Sequence, residues 1–444
     1  MTRFLSISFI LFFIVGSLSA QEKEWTLKEC IAYALENNIS IKQSELNLEA
    51  SKIDKIDAIG NFLPSINGNA QISQNTGASI NPVTNTFETE IFTSATGGIS
   101  AGLTVFDGLR NVRQLQRAKL NRLANQYSLD KMRDDIALFV ANSYLQVLFN
   151  KETTKVLVFQ NQITGEQLER TQQLVDAGSL PAGDILEIRA TNADEKQRII
   201  VAKNNVRISL IALAQTLLIK DYDNFQIADD EYNIIDDEML NKSVYTIIDN
   251  AKEERNEVKL AEQNKAIAEK DVEIAKGAYL PTLNAFFQYN TRWSDNDFLN
   301  RSFTEQVYQN DGLGYGFQLS VPILNGFTTR NAVKRNKINV LRADYNLEQA
   351  KLDLESNVYQ AYVDAQGSKE AYEASLVALE SSSKANEYAQ ERFDVGLTNA
   401  FDFSQSKIRL QNTEIEAKRT KYDYIFKLKV LELYFGISPS ELKF

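Results

Sequence analysis

The same pattern runs through this chain twice, about 217 residues apart. At an offset of 217, Ala34, Glu45, Asp54, Gly60, Leu63 and Pro64 recur as Ala251, Glu262, Asp271, Gly277, Leu280 and Pro281. At an offset of 218, Gly108, Tyr127, Tyr144, Asp176, Gly178 and Asp184 recur as Gly326, Tyr345, Tyr362, Asp394, Gly396 and Asp402. One residue of slippage separates the two sets, and chance does not hold register across most of each half. The period exceeds the roughly 20–50 residues of a solenoid unit. It therefore reads as duplication of a half-protein, each half supplying one hairpin and one set of long helices.

Composition then removes whole classes of function. The 444-residue chain has no histidine, which takes away the commonest general base and the commonest metal ligand. Cys30 is the only cysteine, so no intrachain disulfide or thiolate cluster can form. It sits on an amphipathic helical stretch and reads as a buried, inert thiol. A net charge of −11 argues against nucleic acid as a partner. No catalytic constellation, metal site or cofactor motif emerges.

Residues 1–20 have the form of a secretory signal, with Arg3 as its positive end, an apolar run from Phe4 to Val15, and small residues before Gln21. No second apolar run reaches the ~18 residues of a membrane helix, so any crossing of a bilayer by the exported chain must use strands.

Glu24 to Ala58 has helical periodicity, ended by Gly60 and Pro64. The period then changes to two. Ile66, Gly68, Ala70 and Ile72 alternate with Asn67, Asn69, Gln71 and Ser73, and alternation returns with Ile99, Ala101, Leu103 and Val105. Residues 74–94 read as a polar loop between them. In the second half, Leu283, Ala285, Phe287 and Tyr289 alternate after Pro281. Residues 290–312 form the loop, and Leu313, Tyr315, Phe317, Leu319 and Val321 alternate with Gly314, Gly316, Gln318 and Ser320. An apolar, aromatic face opposite a Gly, Ser and Gln face suits membrane strands around a lumen. In the loops, Trp293, Phe298, Phe303 and Tyr308 read equally as interfacial anchors or as loop packing.

Residues 109–177 and 327–395 each contain one glycine and no proline, so each reads as a helix of ~100 Å. Tight turns follow at Asp176 to Asp184 and Asp394 to Asp402, and helices return over about 184–218 and 402–435. Opening helices at 26–58 and 244–278 are about half the length of the long ones. One opening and one returning helix stacked end to end match one long helix. The halves are thus a first repeat (21–220, hairpin 64–106) and a second repeat (244–444, hairpin 281–324), joined by an acidic segment at 221–243. Four strands per chain cannot close a membrane barrel alone, since the smallest have about eight, so the barrel must be shared between subunits.

This order, with the paired Leu63-Pro64 and Leu280-Pro281 and the paired Gly178/Asp184 and Gly396/Asp402 turns, resembles the TolC-like outer membrane efflux protein family across about 25–437. The resemblance implies an α+β membrane protein. In it, a homotrimer forms a twelve-stranded β-barrel in the outer membrane of a Gram-negative bacterium, continued by a twelve-helix periplasmic α-barrel. It implies a passive exit duct, not an enzyme, without cofactor, working with a periplasmic adaptor (membrane fusion) protein and an inner-membrane transporter of RND or ABC type. By match, Val395, Gly396 and Leu397, with Ala177, Gly178 and Ser179 as the weaker counterpart, would contact the adaptor. Asp184 and Asp402 would either line an anionic constriction or serve as helix N-terminal acids. The tyrosine and arginine of the best-known member's gate correspond to Phe393 and Thr398, and a second constriction acid to Gln405. That hydrogen-bonded lock cannot form here, which suggests a looser or more hydrophobic gate at Phe393. The competing reading is an exported periplasmic coiled-coil scaffold without a pore, which leaves the two Leu-Pro-led hairpins unexplained.

Overall fold

The computed structural model describes residues 23–80, 86–229, 232, 238–297 and 299–437. The signal segment at 1–20 and Phe298 lie outside the described residues. The first half runs β1 (Glu24–Trp25), α1 (Leu27–Asn37), α2 (Ile39–Gly60), β2 (Ser65–Ile80), β3 (Phe87–Phe106), α3 (Arg110–Asp176) and α4 (Ala182–Thr216). After β4 (Gln226–Ile227) come α5 (Val244–Glu254), α6 (Asn256–Gly277), β5 (Thr282–Ser294), α7 (Phe303–Gln309), β6 (Gly312–Ser320), α8 (Thr328–Asp394) and α9 (Ala400–Tyr434). Corresponding helices have equal lengths: 11 residues for α1 and α5, 22 for α2 and α6, 67 for α3 and α8, 35 for α4 and α9.

The chain divides into two compact units, one of residues 46–128 and 259–350 and the other of the remainder. In the latter, α1 starts with a capping box. Thr26 Oγ1 accepts from the Glu29 N–H, and the Glu29 carboxylate accepts from the Thr26 N–H. The apolar face of α1 (Leu27, Cys30, Ile31, Ala34) belongs to one core cluster with Val140, Tyr144 and Leu148 of α3, Leu213 of α4 and Leu217 just past its end. β1 pairs in parallel with β4, and the Tyr144 hydroxyl donates toward the carbonyls of Trp25 and Ala228 beside that pair. Cys30 is fully buried, and desolvation pushes its thiol up to about 12, which leaves it uncharged and inert.

The opening helices, expected as continuous over 26–58 and 244–278, are each broken once, at positions 217 residues apart. Asn38 (φ −60°, ψ 134°) and Arg255 (φ −70°, ψ 133°) leave the helical region. Each side chain reaches a carbonyl at the end of a returning helix: Asn38 Nδ2 to Thr216 O at 3.4 Å, Arg255 Nη1 to Leu433 O at 3.5 Å. The breaks are thus places where a side chain ties two elements together; the Leu433 carbonyl also accepts from the Gly436 N–H at 3.1 Å. Arg255 is further held by Asp134 (3.2 Å) and Glu257 (3.3 Å) and lies over the Tyr434 ring. Burial raises the Asp134 carboxyl, and the Arg255 charge opposes that rise.

The other unit is built on an antiparallel sheet in the order β2-β3-β5-β6. The polar loop expected over 74–94 is mostly strand. β2 and β3 pair without interruption from Ser65↔Gly102 to Ile80↔Phe87, because backbone pairing tolerates the Ser, Thr and Asn side chains whose composition suggested a loop. The expected loop at 290–312 likewise begins inside β5, which continues to Ser294, and contains α7. The buried Gln306 secures α7: its amide accepts from the Ser294 N–H and donates to the carbonyls of Ser294 and Arg301. Trp293 and Phe303 pack together, ring centroids 5.8 Å apart, while Tyr308 is exposed.

Candidate functional site

The sheet presents two unlike faces. Pairing places Ile72 with Ala95 and Trp293, and Ile99 with Tyr289 and Leu313, on one face. Asn67 with Ser100 and Gln288, and Gln288 with Gly314, share the other. On the apolar face of β6, Leu313, Tyr315, Phe317 and Leu319 are 62–76% exposed. Large aromatic and aliphatic side chains turned outward from a sheet demand an apolar medium or a partner. On the opposite face β6 itself carries only glycine, Gln318 and Ser320, with the Phe286 ring of β5 lying against Gly316. β2 and β6 are the two edges, each with one unpaired side.

In the helical unit, both turns end a long helix with the same device. Gly178 (φ 75°) and Gly396 (φ 72°) take the left-handed conformation that glycine adopts without steric cost. The N–H of Ser179 donates to Leu174 O (2.9 Å) and that of Leu397 to Arg392 O (2.8 Å), with a second bond from each glycine N–H. This is the Schellman arrangement. No atom lies within 4 Å of a Cβ placed on either glycine, so both turns face open space. Val395 and Leu397 are 69% and 70% exposed. Ala177, Gly178 and Ser179 are exposed too, but with small side chains.

The acids sit in the first turns of the returning helices, not at their caps. Pro181 and Asn399 hold the cap positions, and Asn399 Oδ1 accepts from the Asp402 N–H at 2.8 Å. Asp402 and Gln405 are exposed and Asp184 is half-buried. The Thr398 hydroxyl approaches the Asp402 carboxylate at 3.4 Å.

The structure brings the two turns together through Phe393. This ring is 7% exposed and stacks on Phe403 (centroids 5.3 Å apart, planes at 12°), in a cluster with Ile188 and Ala400 flanked by Leu168 and Ala389. Within the chain, Phe393 is thus a packing residue joining α8, α9 and α4. It leaves no exposed ring to form a gate surface by itself. Arg170 of α3 pairs with Asp394 at the end of α8 (3.1 Å) beside it.

About one turn beyond Phe403 on α9 lies a group that sequence reasoning missed. Lys407, 3% exposed, pairs with Glu195 of α4, 4% exposed, at 3.2 Å. Lys407 also donates to Gln160 O (2.8 Å) and to the Thr164 hydroxyl of α3, and Glu195 accepts from Asn161 (3.1 Å). Burial lowers the Lys407 amine, and the Glu195 charge opposes that lowering. Nothing in the repeat signals it, since the counterparts of Lys407 and Glu195 are Arg189 and Thr413. Among the described residues no group of three or more His, Cys, Asp and Glu side chains could hold a metal ion, and no helix is long and apolar enough to cross a membrane.

These features agree with the chain's relatives. The model of the outer membrane efflux protein family matches residues 30–217 and again 247–436. The chain is 25% identical to the outer membrane protein TolC of Vibrio cholerae over 322 residues, 71% of this chain and 70% of that one. Its fold superposes on the CmeC outer membrane channel of Campylobacter jejuni with a TM-score of 0.80 at 17% identity, covering 92% of this chain and 85% of the other. It superposes on the outer membrane protein VceC of Vibrio cholerae with a TM-score of 0.76 at 14% identity, covering 92% and 96%. The chain belongs to the outer membrane efflux protein family. It is an outer membrane channel of the tripartite efflux type with a periplasmic extension.

Proposed function

We propose that three copies close their four-stranded sheets into one twelve-stranded barrel and continue it as a twelve-helix tube through the periplasm. The result is a passive exit duct. One observation carries this reading: an open sheet with two unpaired edges, one outward apolar face and one small polar face. In hydrocarbon an unpaired strand edge costs several kcal/mol per unsatisfied group, so the sheet must find partners for β2 and β6. The apolar face then meets lipid and the polar face lines the lumen. Removal of the signal at 1–20 leaves two repeats, 21–220 and 244–444, joined through 221–243.

In the helical unit, the open glycine turns suit docking. Val395, Gly396 and Leu397 offer two exposed apolar side chains around a glycine that lets a second backbone approach, and Ala177, Gly178 and Ser179 offer a smaller counterpart. The occupant is a periplasmic adaptor coupled to an inner-membrane transporter. Asp402, with Gln405 one turn on and Asp184 at the equivalent turn, supplies the constriction. Thr398 and the packed Phe393 hold that segment in place. The test is the native mass of the protein extracted from outer membranes in mild detergent. Three chains per particle are expected, and a water-soluble monomer or dimer sinks the duct reading in favour of a scaffold without a pore.

A further inference from the structure

The unit of residues 46–128 and 259–350 holds an apolar groove that its own side chains leave unfilled. Its strands join the helices through Ser65, Phe106, Thr282 and Ser320, so α7, between β5 and β6, lies at the far end of the sheet. There α7 folds back over the apolar face. Phe303 packs on Trp293, and the Thr291 hydroxyl donates to Val307 O at 2.6 Å. Between helix and sheet is a cavity of about 480 Å³. Its floor is Ala70, Ile72, Ala95 and Gly97, and its walls are Trp293, Phe303 and Val307. Leu299, Phe303 and Tyr308 are exposed around it, as suits a loop at a membrane interface.

Resting on the reading above in which the apolar face meets lipid, we propose that the groove between α7 and the sheet binds one acyl chain of an outer-leaflet lipid.

The lining selects hydrocarbon. By strand alternation, Gln71, Thr96 and Arg292 border the groove with backbone and turn their side chains to the other face. The Thr291 hydroxyl is already spent on Val307 O. A peptide strand cannot add to this floor, because Ala95 and Gly97 of β3 are paired on both sides, with Ile72 and Ala70 and with Trp293 and Thr291. Size agrees: an apolar cavity of ~150 Å³ admits benzene, and this one is roughly three times as large. Small floor residues create the space. Ile99, Tyr289 and Leu313 stand further along the same face, but Ala70, Ala95 and Gly97 stand beneath α7. A Cβ on Gly97 would meet only Asn69 O, at 3.9 Å. Polar ties fix the roof above this floor. Gln306 bonds Ser294, Asn310 Nδ2 donates to Arg292 O at 3.0 Å, and Arg301 pairs with Asp297. The lining of an unfilled groove forfeits dispersion contacts, which a lipid chain restores. Depth agrees too. Leu283 to Trp293 spans about 33 Å of strand, or about 25 Å along the membrane normal at the usual tilt, the height of a barrel's apolar band. With the helices extending into the periplasm, Trp293 and α7 stand at the exterior rim of that band, where outer-leaflet chains begin.

Trp293 reports on the groove directly. The chain has two tryptophans, and the other, Trp25, lies in the helical unit, so Trp293→Phe sets the background emission. The probe is phosphatidylcholine with brominated acyl chains, a contact quencher, titrated into the full-length protein in dodecyl maltoside micelles. Quenching of Trp293 should saturate at a single lipid per chain. Gly97→Leu fills the floor and Phe303→Ala removes a wall. Each should raise the lipid needed for half-quenching by about five-fold or more, at unchanged three-chain native mass. Bromines near the ester should quench more than bromines near the chain end. Should Gly97→Leu not assemble, Phe303→Ala decides, since the Phe303 ring is already exposed on its outer side. Quenching that rises without saturation, or equally in wild type and variants, overturns the lipid site while leaving the duct. A reversed depth order overturns its place at the exterior rim. A one-chain native mass or a water-soluble protein overturns the duct reading and the lipid site with it.

Discussion

At the scale of single residues, the helical unit is held by a few side chains that the repeat does not advertise. Lys407 and Glu195 are both buried and satisfied by Thr164, Asn161 and a backbone carbonyl. Removing one partner leaves an uncompensated buried charge, so Lys407→Met should cost about 3–5 kcal/mol in the unfolding free energy measured by denaturant. Lys407→Met with Glu195→Leu should recover most of it, because no charge is left buried. A double variant as unstable as the single would show that packing, not charge, sets the cost. Gly396 makes a different demand. Its positive φ penalises any side chain by roughly 1–2 kcal/mol, although space around it is free. Gly396→Ala should therefore weaken the turn without a clash, measured as faster amide exchange over 391–400.

At the scale of elements, the breaks in the opening helices do what no helix interior could. A continuous helix would carry residue 38 or 255 past the end of the returning helix. The extended residue turns its side chain onto a carbonyl at the end of that helix instead. The two ties differ in strength. Asn38 makes one 3.4 Å bond to a returning helix, whereas Arg255 adds two carboxylates and an aromatic ring. Arg255→Ala should cost more, about 2–3 kcal/mol, by unpairing the partly buried Asp134, and Asn38→Ala only about 1 kcal/mol, both read from unfolding midpoints. The α7 loop makes a pH prediction. Hydrogen bonds from the Arg301 side chain and N–H hold Asp297 down at about 2, below its ordinary 3.8. A carboxylate lowered in the fold stabilises it fully above the unfolded value and loses that contribution as pH falls through the folded one. Trp293 emission should thus stay constant down to about pH 4 and shift between 4 and 2. A transition centred near pH 5 would assign it to another group.

At the scale of the whole molecule, the chain is half of two things at once: an open sheet and one set of turns. Channel behaviour belongs to the assembly. If three copies of Asp402 ring the constriction, Asp402→Asn in planar bilayers should lower the preference for cations over anions several-fold while leaving assembly unchanged. An unchanged reversal potential would leave Asp402 as a helix N-terminal acid only. Phe393 bears on the same question from inside the chain. Its ring is already spent on Phe403, so a hydrophobic closure must come through that cluster and not from an exposed Phe393.

The sequence by itself determined the duplication, the helix lengths, the glycine turns and the alternating strands, because each is a local pattern of period, stop signal and spacing. It also determined the family, through the order of those patterns. Only the tertiary structure decided where β2 and β3 stop pairing, that the opening helices break at Asn38 and Arg255, that Lys407 meets Glu195 some two hundred residues away, and that Phe393 is buried. Polar strand residues look like loop until a neighbouring backbone satisfies them. A helix break made for a distant carbonyl has no local cause. A buried charge is legible only once its partner is beside it.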